Sequence, residues 1–400
     1  MAISERHAEI STVGWHYPDT GRRDLRIDFL RGLAMIIMVI AHIEVFSVFN
    51  LFTSERFGLV SGAEGFVIFA GVVLGSVYRH RLNIDGWITS IYRLWSRAWK
   101  LYVVSLVIIL SFYLLSMIPF LNTHEVTTFT NRAEHIVYPL YPIDTVTLAT
   151  ALNALFYLQS GPHQTQVLGL YVYLLLLTPL VLAAFTYRLQ WYVLACSWLV
   201  YFSYQLQPIH LINSNFENAF AFMAWQLIYF HGLAIGWYKN DIASHMHGKA
   251  KVLTVGFCIT VSLILFFIAQ NHTNPFLPEW AHLHLIPANT FEAIHNYAHK
   301  NSLGFVRVLN DFCLLVSLYW LLTVCWTPFY KALGWYLIPV GQASLYVFIV
   351  HVYVVFLVSQ FVTFDLTNHQ WLLTTAVHGG SLMLLWWMTK KKIGMRFIPT

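Results

Sequence analysis

The feature that most constrains this chain is a series of long apolar segments separated by short polar stretches. A transmembrane helix needs about 20 predominantly apolar residues. Asp, Glu, Lys and Arg make up only 10% of the 400 residues, against about 25% in soluble domains, which is too few to cover a soluble surface. The chain is therefore predicted to be an all-α polytopic integral membrane protein, and this composition excludes a nucleic-acid binder. Ten segments are candidate spans: 29–49, 61–78, 101–119, 166–186, 190–206, 219–237, 252–269, 303–325, 335–358 and 371–389.

The basic residues predict how these segments are oriented. Cytoplasmic loops are enriched in Lys and Arg, and most of the 23 basic residues lie inside if both termini are cytosolic. The expected organisation is a cytosolic tail over 1–27, a single transmembrane domain over 28–389 and a cytosolic tail over 390–400. Two long loops, 120–165 and 270–302, then lie outside. Within the first loop, residues 146–160 are interpreted as an interfacial or re-entrant helix.

Ionisable residues inside the spans are the first place to look for chemistry, because charges in a membrane are costly and usually face a cavity or one another. Arg31 and His42 in the first span are eleven residues apart. This spacing places both on one helix face, about 16 Å apart along the axis. Asp28 lies near the same face. The face therefore carries a cation at the cytosolic edge and an imidazole in the outer half of the bilayer.

Other spans carry polar groups near the depth of His42. This convergence predicts a central polar chamber that opens outward, although a structural ion pair between Arg307 and Asp311 is an alternative interpretation. The His282-x-His284 pair in the second outside loop lacks a third fixed ligand, so no metal is expected. The groups predicted to converge are Glu64, Arg307, Asp311 and His351.

Several stretches of the chain match a known family. Arg31 and His42 have the R-x10-H spacing of the acyltransferase-3 superfamily of membrane acyltransferases. The wider match is with the OpgC-type (osmoregulated periplasmic glucan succinyltransferase) family, which this sequence resembles in order from about residue 23 to residue 360. The matching segments are RDLRIDFLRGLAMIIMVIAH, SGAEGFVIFAG, SRAWKLYVVSL, LYVYLLLLTPL, FMAWQLIYFHGLAIGW and GQASLYVFIVHV.

Two positions depart from the family pattern. Ala41 stands where the family has Asp before the first-span histidine, and Gly62 stands where it often has Asp near the start of the second span. The group that orients His42 is therefore left open.

The resemblance implies an O-acyltransferase of the bacterial inner membrane. It would move an acyl group, succinyl in the family's name, from cytosolic acyl-CoA to a hydroxyl of a periplasmic glucan or other polysaccharide. The lipid bilayer and a glucan synthesis system are the expected partners besides this acceptor.

The same resemblance suggests roles for individual residues. His42 would act as general base and Glu64 would orient it, while His351 or Arg307 would stabilise the oxyanion or hold the succinyl carboxylate. The CoA phosphates would stay at the cytosolic rim, at a donor site formed by Arg31, Asp28, Arg93, Arg97 and Lys100. The remaining acceptor or oxyanion candidates are Asp311, Trp225, Gln226 and Ser344.

A proton-coupled transporter or exporter is the alternative from another functional class. The same buried histidines and carboxylates would then form a proton relay. The sequence has no evident internal repeat of the kind that inverted-repeat transporters contain, which favours the enzyme.

Overall fold

The computed structural model describes residues 15–18, 23–53, 55–131, 136–141, 147–274, 277, 279–364 and 370–398. Over these residues the fold is all-α apart from one antiparallel hairpin of β1 (Thr128–Asn131) and β2 (Ile136–Pro139). Most of the predicted 1–27 tail lies outside the described residues. The α-helices are α1 (Leu25–His42), α2 (Gly62–Ser116), α3 (His124–Thr127), α4 (Leu148–Phe156), α5 (Val167–Thr186), α6 (Gln190–Leu206), α7 (Phe222–Trp237), α8 (Lys239–His245), α9 (Gly248–Ala269), α10 (Ala288–His295), α11 (Phe305–Val324), α12 (Trp326–Phe329), α13 (Trp335–Gln342), α14 (Ser344–Ser359) and α15 (Trp371–Lys391).

Several of these helices are long and apolar enough to cross a membrane. Within the described residues they number four: Gly62–Ser116, His163–Thr186, Gly248–Ala269 and Phe305–Val324. The pair Trp326–Gln342 and Ser344–Ser359, bent by 90°, makes a fifth if it is one broken span. The protein is thus an all-α membrane protein. The arrangement of ten spans stays a prediction, because the helices over the remaining segments are shorter, less apolar or more charged.

The 55-residue helix α2 contains two helical segments that join at Gly86. The φ of 75° and ψ of 175° at Gly86 lie outside the helical region, in a conformation that favours glycine. Arg97 lies within electrostatic range of Tyr78, although a straight helix would separate these residues by about 28 Å. The chain therefore folds back at Gly86, and α2 contains most of the residues of two predicted spans, 61–78 and 101–119.

Glycines set the packing of α2 against α7 at the centre of the bundle. Gly71 and Gly75 of α2 meet Gly232 and Gly236 of α7, and a Cβ at any of the four would lie 2.0–2.4 Å from a backbone oxygen of the other helix. Small residues four apart allow such close approach between membrane helices. This packing holds the start of α2 in a fixed position.

A second close crossing joins α1 to α13. A Cβ at Gly32 would lie 2.1 Å from the carbonyl oxygen of Leu337, and one at Gly341 would lie 1.7 Å from that of Asp28. Because α14 begins at Ser344, directly after α13, the crossing brings α14 alongside α1. Residues far apart in sequence can therefore meet along the polar face of α1.

Candidate active site

A hydrogen-bonded pair of histidines joins α1 to α14. His42 Nδ1 lies 2.8 Å from His351 Nε2, and the two rings stack with centroids 4.9 Å apart. His351 is fully buried, and its Nδ1 bonds to the carbonyl oxygen of Phe348. A carbonyl oxygen only accepts, so Nδ1 of His351 donates and Nε2 of His351 accepts the proton of His42 Nδ1. In the neutral pair this fixes the lone pair of His42 on Nε2.

His42 is half-buried and lines an open cavity of about 240 Å³. Residues from both predicted outside loops complete its wall, so the loops 120–165 and 270–302 take part in the site. The polar side chains around the cavity, besides His42, are Glu55, Ser61, His163, Gln164, His272, Asn274 and Lys300.

The two departures from the family pattern, Ala41 and Gly62, both line this cavity. A Cβ at Gly62 would lie 2.6 Å from the carbonyl oxygen of Ala34, so the close approach of α1 to the start of α2 excludes a larger residue there. At position 41 an exposed alanine leaves space beside His42. The group that holds His42 is His351 on another helix.

Glu64 and Arg307 lie apart from the histidine pair, which corrects the expected contact between Glu64 and His42. Glu64 is fully buried, and its Oε1 accepts a hydrogen bond of 2.9 Å from Arg307 Nη1. Its Oε2 accepts from the backbone N–H of Ser61 at 2.9 Å and from the Ser61 hydroxyl. The cause is local, because Ser61 and Glu64 form the capping box that begins α2.

Arg307 is 1% exposed, and internal partners occupy it on three sides. Its Nε donates to the carbonyl oxygen of Ala298 at 2.7 Å, and its two Nη atoms pair with Glu64 and Glu55. The expected pair with Asp311 is absent from the ion pairs of the described residues, and Asp311 instead lines a neighbouring, mainly apolar cavity. Arg307 is thus committed to an internal network, and it is not free to bind a substrate carboxylate. His351 is not free as an oxyanion donor either, since both of its nitrogens are engaged.

Arg31 lies at the opposite end of the polar face of α1. Its Nη2 donates to the Ser344 hydroxyl at 2.7 Å, and its Nη1 lies 3.6 Å from Asp28 Oδ1. Asp28 also accepts two hydrogen bonds from Arg23, at 2.6 and 2.7 Å. Arg97 lies within electrostatic range of Arg31. The structure therefore brings together four predicted residues at this end, with Ser344 on the Arg31 side and not beside the histidines.

The other predicted residues lie outside both groups. Arg93 is exposed and paired with Asp85, and Lys100 is exposed. Trp225 is buried and its Nε1 donates to the carbonyl oxygen of Asn301 at 3.1 Å. Gln226 is buried in hydrogen bonds to Ser197 and Met223. Neither Trp225 nor Gln226 lines the cavity of His42, so both serve packing.

Sequence reasoning missed a polar group contributed by the outer loops. Glu55 Oε2 lies 3.6 Å from His272 Nε2 and 3.7 Å from His295 Nε2. Although burial raises the pKa of Glu55, the neighbouring His295 and the charge of Arg307 lower that pKa to about 2. Burial lowers the pKa of His272 despite the charge of Glu55. The only signal in the sequence was the density of histidines in 270–302.

Comparison with known protein families shows what this chain resembles over nearly its whole length. A family model described as "OpgC protein" matches residues 23–392, which include α1 to α15 and all the predicted site residues. No curated protein and no solved structure shows a significant match. The match covers nearly the whole chain, and the chain therefore belongs to the OpgC protein family.

Proposed function

We propose that this protein is a multi-pass O-acyltransferase of the bacterial inner membrane. It transfers an acyl group, with succinyl the first candidate, from cytosolic acyl-CoA to a hydroxyl of a periplasmic glucan or other polysaccharide. Membership of the OpgC family implies a glucan-modifying, acyltransferase-type function. The observation that carries the finer proposal is the pair of His42 and His351, which leaves His42 Nε2 as a base beside a polar cavity.

His42 Nε2 removes the proton from the acceptor hydroxyl as its oxygen attacks the thioester carbonyl. The carbonyl carbon becomes tetrahedral, its oxygen takes the negative charge, and the C–S bond then breaks. The proton on His42 passes to the departing CoA sulfur, which returns the neutral base. His351 holds the ring through Nδ1 throughout, so it is a positioning residue and makes no covalent bond.

Lys300 is the best candidate to neutralise negative charge in the cavity. It is exposed, lines the same cavity as His42 and carries an ammonium group that no ion pair of the described residues engages. A succinyl carboxylate or the developing oxyanion would both attract that charge. Arg307 and His351, the residues first expected in this role, are occupied by internal partners.

Arg31 and Arg97 form the cationic end of the donor path. Phosphate groups are poorly accommodated in an apolar core, so the nucleotide end of CoA stays at the cytosolic rim, where a guanidinium binds phosphate through paired N–H groups. The pantetheine arm spans the roughly 16 Å along α1 between Arg31 and His42. One helix therefore carries both the donor anchor and the base.

The direct test measures acyl transfer by purified, reconstituted protein from radiolabelled succinyl-CoA to periplasmic glucans. His42→Ala and His42→Gln are both expected to lower turnover by about 10²–10⁴-fold, the usual contribution of a general base. Acyl-CoA binding should persist in both variants. His231→Gln is the matched control, because the hydrogen bond of this α7 histidine within the described residues is to the Leu227 carbonyl and the residue does not line the cavity.

Two results would contradict this function. Turnover by His42→Gln close to that of His231→Gln would move the base elsewhere. Proton-coupled glucan transport by the wild type without any acyl transfer would favour the transporter instead. Mass spectrometry of periplasmic glucans from cells with and without the gene identifies the acyl group and its acceptor together.

A further inference from the structure

We propose that Glu55, His272 and His295 bind a divalent transition-metal ion, with zinc the first candidate, in the wall of the His42 cavity. The three residues come from two separate loops, 43–61 and 270–302, that only the fold brings together. Sequence spacing alone points to no such site, since the only His-x-His pattern of that loop is at His282 and His284.

The geometry suits a metal ion. One ligand atom from each of the three side chains lies within 4.8 Å of the others. The Glu55 Oε2 to histidine Nε2 distances are 3.6 and 3.7 Å. Tetrahedral zinc with bonds of about 2.0–2.1 Å places neighbouring ligands roughly 3.4 Å apart, so small side-chain shifts would complete the site. A set of two histidines and one carboxylate binds transition-metal ions in preference to Mg²⁺ or Ca²⁺.

The carboxylate oxygen that faces both histidines has no other partner. Glu55 Oε2 is buried and accepts no hydrogen bond from the described residues. Buried polar atoms are rarely left without a partner, and each such atom calls for an explanation. A metal ion on Oε2 would satisfy the carboxylate, whose other oxygen already pairs with Arg307.

The charge balance points the same way. Arg307 is a single cation that contacts two carboxylates, Glu55 and Glu64, in a region where all three side chains are largely buried. With His272 and His295 neutral, as metal ligands must be, one negative charge therefore remains without a fixed counter-charge. A divalent cation beside Glu55 would offset it at the position where the free oxygen lies.

The site opens toward the proposed chemistry. Glu55 and His272 line the same cavity as His42. Three protein ligands leave at least one coordination position of zinc for an outside ligand. Resting on the proposed function, we assign that position to an oxygen of the substrate, either a sugar hydroxyl of the acceptor or the succinyl carboxylate. Metal binding itself does not depend on this assignment.

The test titrates metal-free, full-length protein in detergent with Zn²⁺ against a competing chelator dye, and with Co²⁺ followed by its visible absorption. Wild type is expected to bind one equivalent. His272→Gln and His295→Gln should each weaken binding by at least 100-fold, since loss of groups that only orient a ligand already costs about 10–100-fold. His284→Gln, an exposed histidine of the same loop, is the control and should bind as wild type does.

Thermal unfolding with and without zinc guards against misfolded variants. Zinc should raise the Tm of wild type and His284→Gln but not of the two ligand variants, because only a folded site that binds the ion gains stability. Absence of stoichiometric binding by wild type, or equal binding by all four proteins, would overturn the proposal. Zinc binding by a protein that transfers no acyl group would instead refute the proposed function and leave the metal site standing.

Discussion

Replacing His351 tests whether the tautomer of His42 is set from α14. In His351→Ala the Nδ1–H of the half-buried His42 loses the acceptor that the fully buried His351 provides. An unsatisfied buried donor costs about 1–3 kcal/mol, and neutral His42 can escape that cost by moving its proton to Nε2 or by rotating. Either change removes the lone pair from the reacting position. Since 1.36 kcal/mol corresponds to a tenfold change in rate, kcat should fall by about 10–100-fold.

The side chain of glutamine offers an informative comparison. His351→Gln keeps an acceptor oxygen that can reach toward His42 Nδ1, so it should recover part of the activity that His351→Ala loses. The Phe348 carbonyl lies inside α14, where the helix supplies another donor, so its loss of the His351 bond should matter little. His378→Gln is a matched control, because this buried histidine bonds to Ser47 and the Ile43 carbonyl and, among the described residues, shares no hydrogen bond with His42 or His351.

The assay measures kcat and KM for acyl-CoA in reconstituted protein, with the folded fraction checked by thermal unfolding. A positioning role predicts that kcat falls while the KM for acyl-CoA is unchanged, because the proposed donor site lies about 16 Å away along α1. It also predicts that His42→Ala/His351→Ala is no slower than His42→Ala alone, since the two residues act as a unit. Independent, multiplicative losses in the double variant would refute this reasoning, as would full activity in His351→Ala.

Two further predictions concern the ends of the polar face. In isothermal titration, Arg31→Ala should weaken CoA binding much more than Arg31→Lys, and the loss of affinity should shrink as salt screens the charge. Arg26 is held by Asp24 and Thr323, so the control Arg26→Ala should lower thermal stability and leave CoA affinity unchanged. Lower thermal stability with unchanged CoA affinity in Arg31→Ala would make Arg31 a structural anchor instead. Arg307→Met should destabilise the fold by about 3–5 kcal/mol because it leaves buried carboxylates unpaired. Arg307→Met/Glu64→Gln should recover part of that loss of stability in thermal unfolding. No recovery would show that the unpaired Glu64 carboxylate is not what destabilises Arg307→Met.

Sequence alone predicted the features that depend on one helix or on composition. The all-α membrane class follows from apolar segments, and the shared face of Arg31 and His42 follows from their spacing within what is a single helix, α1. Family resemblance also pointed to the right family. These inferences need no knowledge of how helices pack against one another.

The partners of these residues could not be predicted in the same way. Depth in the bilayer placed Glu64, Arg307 and His351 near His42, but depth does not specify the direction in which each side chain points. The close crossing of α1 and α13 brings His351 to His42, whereas the capping box of α2 turns Glu64 toward Arg307. Glu55 lies in a short loop with a positive φ of 66°, and nothing in its local sequence indicated that it would meet Arg307.

The network around Arg307 explains why the outer loops belong to the site. Arg307 lies near the start of α11, and its side chain contacts three segments simultaneously. It bonds to Glu64 at the start of α2, to Glu55 in the loop that precedes α2, and to the Ala298 carbonyl in 270–302. A single buried guanidinium thus fixes three segments whose neighbours Ser61, His272 and Lys300 line the cavity. Truncation of the 270–302 loop should therefore disturb the His42 cavity, since it removes the Ala298 carbonyl that Arg307 binds together with the lining residues His272, Asn274 and Lys300. The proposed transfer from a thioester requires a site that excludes water, and an outer wall of loops anchored in this way would provide it.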